Sequence, residues 1–531
     1  VRLARRTFVV LAAALCAGLA YAQVPVNEYG AALAAGPVER WGMLEIDLAG
    51  PAEGNPFVDV ALSAVFRQGA REIAVDGFYD GAGRYKIRFM PDTAGAWTWE
   101  TRSNRAELRG RTGRFDAVQA APGNRGPVSV RNTFHFGYAD GSPFWQVGTT
   151  SYAWTHQPDA LQERTLRTLA MAPFNKLRMA VFPNNDDALA HQRFPFPGKP
   201  PHGWDFSRFD VDFFRNLDRR VAQLRALGIE ADLILFHPYD KGKWGFDRMP
   251  GAVNDRYLRY VVARLAAYRN VWWSMANEFD FLTEKTMDDW DHYFQLVQAA
   301  DPYGHLRSIH NAFRLYNHTK PWVTHASIQH GAATEDPERA VLYRDVYNKP
   351  VVYDEVKYEG DWVKRWGQLT PEEMVLRFWN GAIAGSYVGH SEIYKDPGGE
   401  IWLGKGGTLK GQSPPRLAFF RRILAESPHE GLEPIDKWQD HPFAGKHAEY
   451  YLGYFNRDKP AAWPFVLFKT GLRDGMKFRA EVIDTWNMTV TPVDGTFEIK
   501  RRDDYTFADK DGRSIALPGR PYMAVRIVRV R

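Results

Sequence analysis

Eight short apolar runs, at residues 144–150, 174–182, 230–237, 271–278, 306–310, 323–329, 350–355 and 385–391, alternate with segments of helical period. The run IEADLILFH reads as a buried strand and NVWWSMANE as another. Between them, Phe213, Phe214, Leu217, Val221 and Leu224 share one helical face that Gly228 can close. Leu258, Val261, Val262 and Leu265 repeat the spacing behind the candidate cap Asn254. Thr370-Pro371-Glu372-Glu373 is a capping box with proline at the first helical position. Eight strand–helix units in about 280 residues are what a (β/α)8 TIM barrel requires. A doubly wound sheet competes, but no glycine-rich turn follows the first run.

The flanks have a different texture. From Trp41 to Phe89 apolar and polar residues alternate, with turn signals at Asp80-Gly81 and Gly83, which predicts a β-sandwich over 35–118. A Pro- and Gly-rich stretch near 120–127 links it to the barrel, expected over 128–430. Alternation returns after Trp438 in HAEYYLGYF, FRAEVIDTW and PYMAVRIV, predicting a second small β-sandwich over 436–531. The expected protein is therefore multidomain, a barrel between two β-domains.

Residues 1–22 have the form of a signal peptide: Arg2, Arg5 and Arg6, the apolar run Phe8–Ala20, then Ala20-Tyr21-Ala22 ahead of Gln23. A run of about 13 residues is too short to span a bilayer. The expected location is periplasmic or secreted, with no membrane association after cleavage. Removing those three arginines from a formal charge of +5 leaves +2, too little to argue for nucleic acid. Cys16, the one cysteine, falls inside this segment, so the mature chain would have neither disulfide nor thiol nucleophile.

Barrel chemistry gathers at the C-terminal ends of strands. In order, those ends carry Arg178, His237, Asn277 with Glu278, His310 with Asn311, Gln329 with His330, Glu355, and His390 with Glu392. Glu278 and Glu355 end the fourth and seventh strands and would face each other across the mouth. Retaining glycoside hydrolysis uses two carboxyl groups ~5–5.5 Å apart, one attacking the anomeric carbon while the other protonates the leaving oxygen; a gap of ~6.5–9.5 Å marks inversion. An acid ending a buried strand can equally serve as an ion-pair partner, but the pair on strands four and seven favours catalysis. Aromatic residues, 14% of the chain, suit the apolar faces of sugars as well as cores.

WWSMANEFD and PVVYDE resemble the acid/base and nucleophile segments of clan A glycoside hydrolases, NKLRMAVFP resembles their strand-two arginine segment, and WQVGTTSYAWTH is similar to the first strand of apiosidase-like barrels. The likeness is nearest to family 5-like and apiosidase-like enzymes with an N-terminal β-domain of unknown function and a C-terminal β-domain. It implies a retaining O-glycosidase acting on a poly- or oligosaccharide without a cofactor, Glu278 as acid/base and Glu355 as nucleophile. It further implies that Asn277 bonds the hydroxyl beside the anomeric carbon and that Arg178 keeps Glu355 ionised. Some apiosidase-like barrels place an aspartate near strand four, and Asp280 would face the way of Glu278 if the strand continued; Glu278 is preferred. Asp354 should point away from Glu355 by the same alternation.

His237, His325 and His390 are candidate hydroxyl binders, and Trp154 and Trp402 candidate sugar platforms, Trp402 within a Gly-rich loop at 396–411. Trp244, Trp362 and Trp379 also lie near strand ends. The segment GEIWLGKG resembles a phosphate loop, but Gly406 stands where a hydroxyl would reach magnesium. No His-Glu-x-x-His occurs, so no metal is expected. The competing function is a glycan-binding barrel without turnover.

Overall fold

The computed structural model describes residues 37–184, 193–435 and 442–530; residues 1–22, expected from the sequence to be a signal peptide, lie outside them. Eight parallel strands form the barrel: β1 (Gly148–Thr150), β2 (Lys176–Ala180), β3 (Glu230–Phe236), β4 (Val271–Ala276), β5 (Arg307–Ser308), β6 (Ala326–Gln329), β7 (Val351–Glu355) and β8 (Tyr387–His390). Their order is β5-β4-β3-β2-β1-β8-β7-β6, and a parallel bridge between His310 and Ser327 closes the ring. Each strand lies within one of the eight apolar runs.

The outer layer comprises α1 (Asp159–Met171), α2 (Val211–Ala226), α3 (Gly251–Leu265), α4 (Met287–Ala300), α5 (Pro337–Tyr347), α6 (Pro371–Ile383) and α7 (Ser413–Ala425). The five apolar residues expected on one face of α2 are all buried, and Gly228 follows it with φ +71°, a conformation glycine adopts without steric cost. The α6 capping box forms: Thr370 Oγ1 accepts from Glu373 N at 3.2 Å, and Glu373 Oε2 accepts from Thr370 N at 3.1 Å. Asn254 is not a cap. It lies within the first turns of α3 and donates to Met249 O and Tyr293 Oη. The β5–β6 connection has no helix, so one of the eight strand–helix units lacks its second half.

A hairpin of Val128–Arg131 and His135–Tyr138 plugs the N-terminal end of the barrel. Phe136 packs 5.1 Å from both Trp272 and Tyr387, which sit where β4 and β8 begin. The interior above holds a buried charge layer, Lys176 bonded to Asp232 at 2.8 Å and to Asp354 at 2.7 Å. With the bottom filled, access is left at the C-terminal mouth.

The N-terminal β-domain pairs a five-stranded sheet with a three-stranded one around Phe66, Ile87, Phe89 and Trp97. It grips the barrel through buried charges. Arg264 of α3 bonds Asp80 at 2.8 Å and Asp218 of α2 at 2.6 Å, while Arg88 bonds Asp218 at 3.0 Å and Glu45 at 2.8 Å. The C-terminal domain is built on a nine-stranded sheet; its Tyr454 stacks on Trp379 of α6 with centroids 5.5 Å apart. That contact commits Trp379 to a domain interface instead of a sugar subsite.

Candidate active site

β7 carries one residue more than β6 between paired positions: Ser327 lies opposite Val352, and Gln329 opposite Glu355. A bulge of this kind lets consecutive side chains share a side. Tyr353 faces outward, donating to Ala340 O of α5 at 2.8 Å. Asp354 turns into the barrel, held by Lys176 Nζ at 2.7 Å and Ser327 Oγ at 2.5 Å. Glu355 follows it inward at the level of Arg178. The strict alternation expected for Asp354 and Glu355 is therefore broken, and the acid pair feeds two layers of the same interior.

Glu355 is buried against Arg178, whose Nη1 donates to Oε1 at 3.3 Å. His310 Nε2 faces the same oxygen at 3.5 Å, and the Tyr152 hydroxyl donates to it. Across the mouth, Glu278 follows β4 with φ 44° and ψ 52°. A side-chain-bearing residue in the left-handed region costs about 1–3 kcal/mol and persists only where surrounding contacts enforce it. Here Phe279 N donates to His310 O at 3.0 Å and Phe281 N to Glu278 O at 2.9 Å. The Glu278 carboxylate accepts from Tyr239 Oη at 2.8 Å and from Gln329 Nε2 at 3.0 Å. Asn277 links the two halves. Its Oδ1 accepts from Arg178 and its Nδ2 donates to Tyr239 Oη, with Tyr152 Oη at 3.5 Å. A hydrogen-bonded row, Glu278–Tyr239–Asn277–Tyr152–Glu355, thus runs from one carboxylate to the other.

The two carboxyl groups are pushed in opposite directions. Burial, then the Glu355 charge, raises Glu278 to about 7. Burial also opposes ionisation of Glu355, but the His310 ring N–H, the Arg178 charge and the Tyr152 hydroxyl outweigh it and lower the group to about 2. Burial and then the neighbouring carboxylate hold the Tyr152 hydroxyl well above its ordinary range. Tyr239 and Tyr358 are raised likewise. The phenols therefore keep their protons and act as donors.

The other residues singled out in the sequence divide. Asn277 belongs to the row, and Arg178 bonds both Asn277 and Glu355 from beside it. His237 stands behind it: its Nε2 bonds Phe182 O at 2.9 Å, its Nδ1 accepts from Tyr239 N at 3.2 Å, and its ring stacks on Tyr239. It fixes Tyr239 instead of meeting a sugar hydroxyl. His325 precedes β6, so it lies at the plugged end, edge-on to Phe136 at 5.5 Å and Trp272 at 5.3 Å. His390 stacks on Phe174 at 4.8 Å with Nδ1 on Thr149 Oγ1 at 3.0 Å. Burial lowers His237 to about 4 and both His325 and His390 to about 3, so all three are neutral. Trp154 is fully buried, its Nε1 on Met179 Sδ at 3.4 Å. Trp402 is 2% exposed and donates to Thr149 Oγ1 at 2.9 Å, while its neighbours Leu403 and Gly404 accept from Tyr152 N and Ala153 N. Neither indole offers a face to the mouth; the Trp402 segment instead braces the turn that presents Tyr152.

Asp280 is engaged elsewhere, accepting from the backbone N–H groups of Ala312, Phe313 and Arg314 at 2.6, 2.8 and 2.8 Å. Glu359, His390 and Glu392 bring ligand-type atoms within 4.8 Å of one another. Their carboxylates are already taken up, Glu392 by Lys410 N and Gly411 N, Glu359 by Tyr394 Oη, Gln412 N and Ser413. The two glutamates anchor residues 410–413. Tyr152, Tyr239 and Tyr358 were not singled out in the sequence; each lies two or three residues beyond a strand end, a position that alone marks a candidate.

Residues 131–392 match the family model described as the apiosidase-like catalytic domain. The crystal structure of a Bacteroides vulgatus protein, named as a candidate glycoside hydrolase, is 42% identical, covers 93% of this chain and 100% of its own, and superposes with a TM-score of 0.89. The chain belongs to the apiosidase-like glycoside hydrolases. Flanking the apiosidase-like barrel, residues 37–104 and 438–528 match two domains of unknown function, DUF5060 and DUF5605. A family 5 glycoside hydrolase from Bacteroides vulgatus, 14% identical, shares the fold with a TM-score of 0.58 over 77% of this chain and 95% of its own. No curated protein matches the sequence.

Proposed function

We propose that this apiosidase-like enzyme cleaves O-glycosidic bonds of a poly- or oligosaccharide with retention, Glu355 as nucleophile and Glu278 as acid/base. The observation that carries the proposal is the opposed protonation of two glutamates at the ends of one hydrogen-bonded row: Glu355 lowered to about 2, Glu278 raised to about 7. A nucleophile must arrive ionised and an acid protonated, and environments that split two carboxyl groups assign those roles. Glu355 attacks the anomeric carbon as Glu278 protonates the departing oxygen. Esterified Glu355 carries no charge, so the repulsion that helps hold the proton on Glu278 disappears. Its pKa falls, and Glu278 can deprotonate the water that releases the sugar. Arg178, Asn277 and Tyr152 line the floor between them, where their donors can meet sugar hydroxyls, while the Glu355 carboxylate faces the positive charge that builds on the oxocarbenium-like ring.

The test is hydrolysis of plant and bacterial polysaccharides and aryl glycosides by wild type, Glu278→Gln and Glu355→Gln, with NMR of the first-formed anomer. Turnover with retention that collapses in both variants is expected. Turnover surviving both changes overturns the assignment, and binding without turnover by wild type indicates the glycan-binding alternative. Export to the periplasm or medium, proposed from Arg2, Arg5, Arg6 and the apolar run behind them, is checked by sequencing the mature N-terminus, expected at Gln23. No helix among the described residues is long and apolar enough to cross a membrane.

A further inference from the structure

The rim one turn beyond Glu278 carries two exposed aromatic rings. Phe313 is 85% and Phe281 45% exposed, and their rings meet edge to face at 5.6 Å. Large apolar side chains left together in solvent on an otherwise well-packed molecule mark a contact surface. This pair is also held in place. Asp280, between Phe279 and Phe281, accepts three successive backbone N–H groups from Ala312 to Arg314, clamping the loop after β5 to the turn after β4. A carboxylate that accepts three such bonds fixes a loop more firmly than neutral contacts do. The clamp sets Phe313 beside Phe281, and Phe281 N in turn bonds the carbonyl of Glu278 at 2.9 Å. The rings edge a cleft of about 500 Å³ that also exposes Thr283, Thr286 and Arg314. Apolar faces with a few polar groups around them are the ordinary make-up of a small-molecule or sugar site.

Resting on the glycosidase proposal, we infer that Phe281 and Phe313 form a platform for the leaving-group side of a saccharide chain, with Asp280 as its positioning residue. The direction follows from the chemistry. The acid stands against the leaving oxygen, while the nucleophile approaches the anomeric carbon from the far side. The chain beyond the broken bond therefore departs past Glu278, over the rim these rings occupy. Their faces suit the C–H surface of a sugar ring, and Arg314 and the two threonines lie where hydroxyl groups would follow. The substrate class implied is one with sugar units on both sides of the scissile bond.

The experiment compares Phe281→Ala/Phe313→Ala with the parent chain in two formats. On a glycan array, both carrying Glu355→Gln to stop turnover, the ring-free protein should lose at least tenfold in retention of the glycan the parent binds best. In the active background, kcat/KM on the polysaccharide that wild type hydrolyses should fall at least tenfold further than on the 4-nitrophenyl glycoside of the same sugar, whose short leaving group does not reach the rings. Asp280→Ala should follow the double variant, and Asp280→Asn should recover part of the difference. Equal losses on both substrates, unchanged array binding, or a parent protein that retains no glycan would each overturn the platform. So would a change in molecular mass by light scattering as the sole effect of removing the rings, which would assign them to contact between copies. Failure of the glycosidase proposal is separate: it is read from turnover persisting in Glu278→Gln and Glu355→Gln with the rings intact.

Discussion

Glu278→Gln should stabilise the protein at alkaline pH while abolishing catalysis. The folded state holds this carboxyl at about 7 against an ordinary 4.5. Below pH 4.5 the group is protonated whether the chain is folded or not, and contributes no difference. As pH rises the unfolded chain releases the proton while the folded chain keeps it, so folding is progressively penalised until pH passes about 7. The full penalty is on the order of 3 kcal/mol at ~1.4 kcal/mol for each pH unit between the two values. Glutamine keeps the shape but cannot ionise, and its single carbonyl oxygen accepts from one of Tyr239 and Gln329 where Glu278 accepts from both. Any change in packing or hydrogen bonding shifts stability by the same amount at every pH, whereas the charge shows only as a pH-dependent gap. Calorimetric scans of both proteins at pH 4.5 and 8.5 measure it: the transition containing the barrel should move up by several degrees in the variant at pH 8.5, and by much less at pH 4.5. An offset equal at the two pH values would refute a proton held on Glu278 by burial and by Glu355.

The same pair sets the pH profile: wild-type kcat/KM should be level on the acid side down to about pH 3 and fall tenfold per pH unit above about 7, as Glu278 loses its proton. A profile centred above pH 8 would contradict it. Removing the opposing charge in Glu355→Gln should lower the Glu278 pKa, visible as a midpoint at lower pH when its carboxyl carbon is titrated by NMR. Arg264→Met leaves Asp80 and Asp218 buried without their main partner and should cost about 3–5 kcal/mol in chemical denaturation. Gly411→Ala places a methyl 2.5 Å from Glu392 Oε2 and 2.7 Å from Glu359 Oε1; it should cost about 1–3 kcal/mol of overpacking, read as a lower melting temperature.

Much of the architecture is local in origin. The barrel strands fall in short, largely apolar runs because they are covered on both faces, their charged residues being paired inside the barrel, and the helices between carry one apolar stripe because only one face is covered. That periodicity is enough to count eight strands. Once they are counted, the rule that chemistry collects at strand ends brings Glu278, Glu355, Arg178 and Asn277 into a short group that also holds His237, His310, Gln329 and His390. The α6 capping box is equally local, since its donors and acceptors lie within four residues. Asn254 shows the limit: its type suits a cap, but Pro250 begins the helix earlier and the side chain is drawn to Tyr293 on another helix.

What the tertiary structure alone decided is direction. His237, His325 and His390 are alike as letters near strand ends, yet one backs a tyrosine, one lies at the plugged end and one packs on Phe174. Trp154 and Trp402 are covered by segments distant in sequence, and burial is a sum over such neighbours. The bulge in β7 arises from its pairing with β6, and it turns Asp354 and Glu355 to one side where alternation would part them. Protonation is decided the same way. Glu278 and Glu355 are the same residue type, and only the charges and hydrogen bonds brought from β2, β3, β5 and β6 make one an acid and the other a carboxylate.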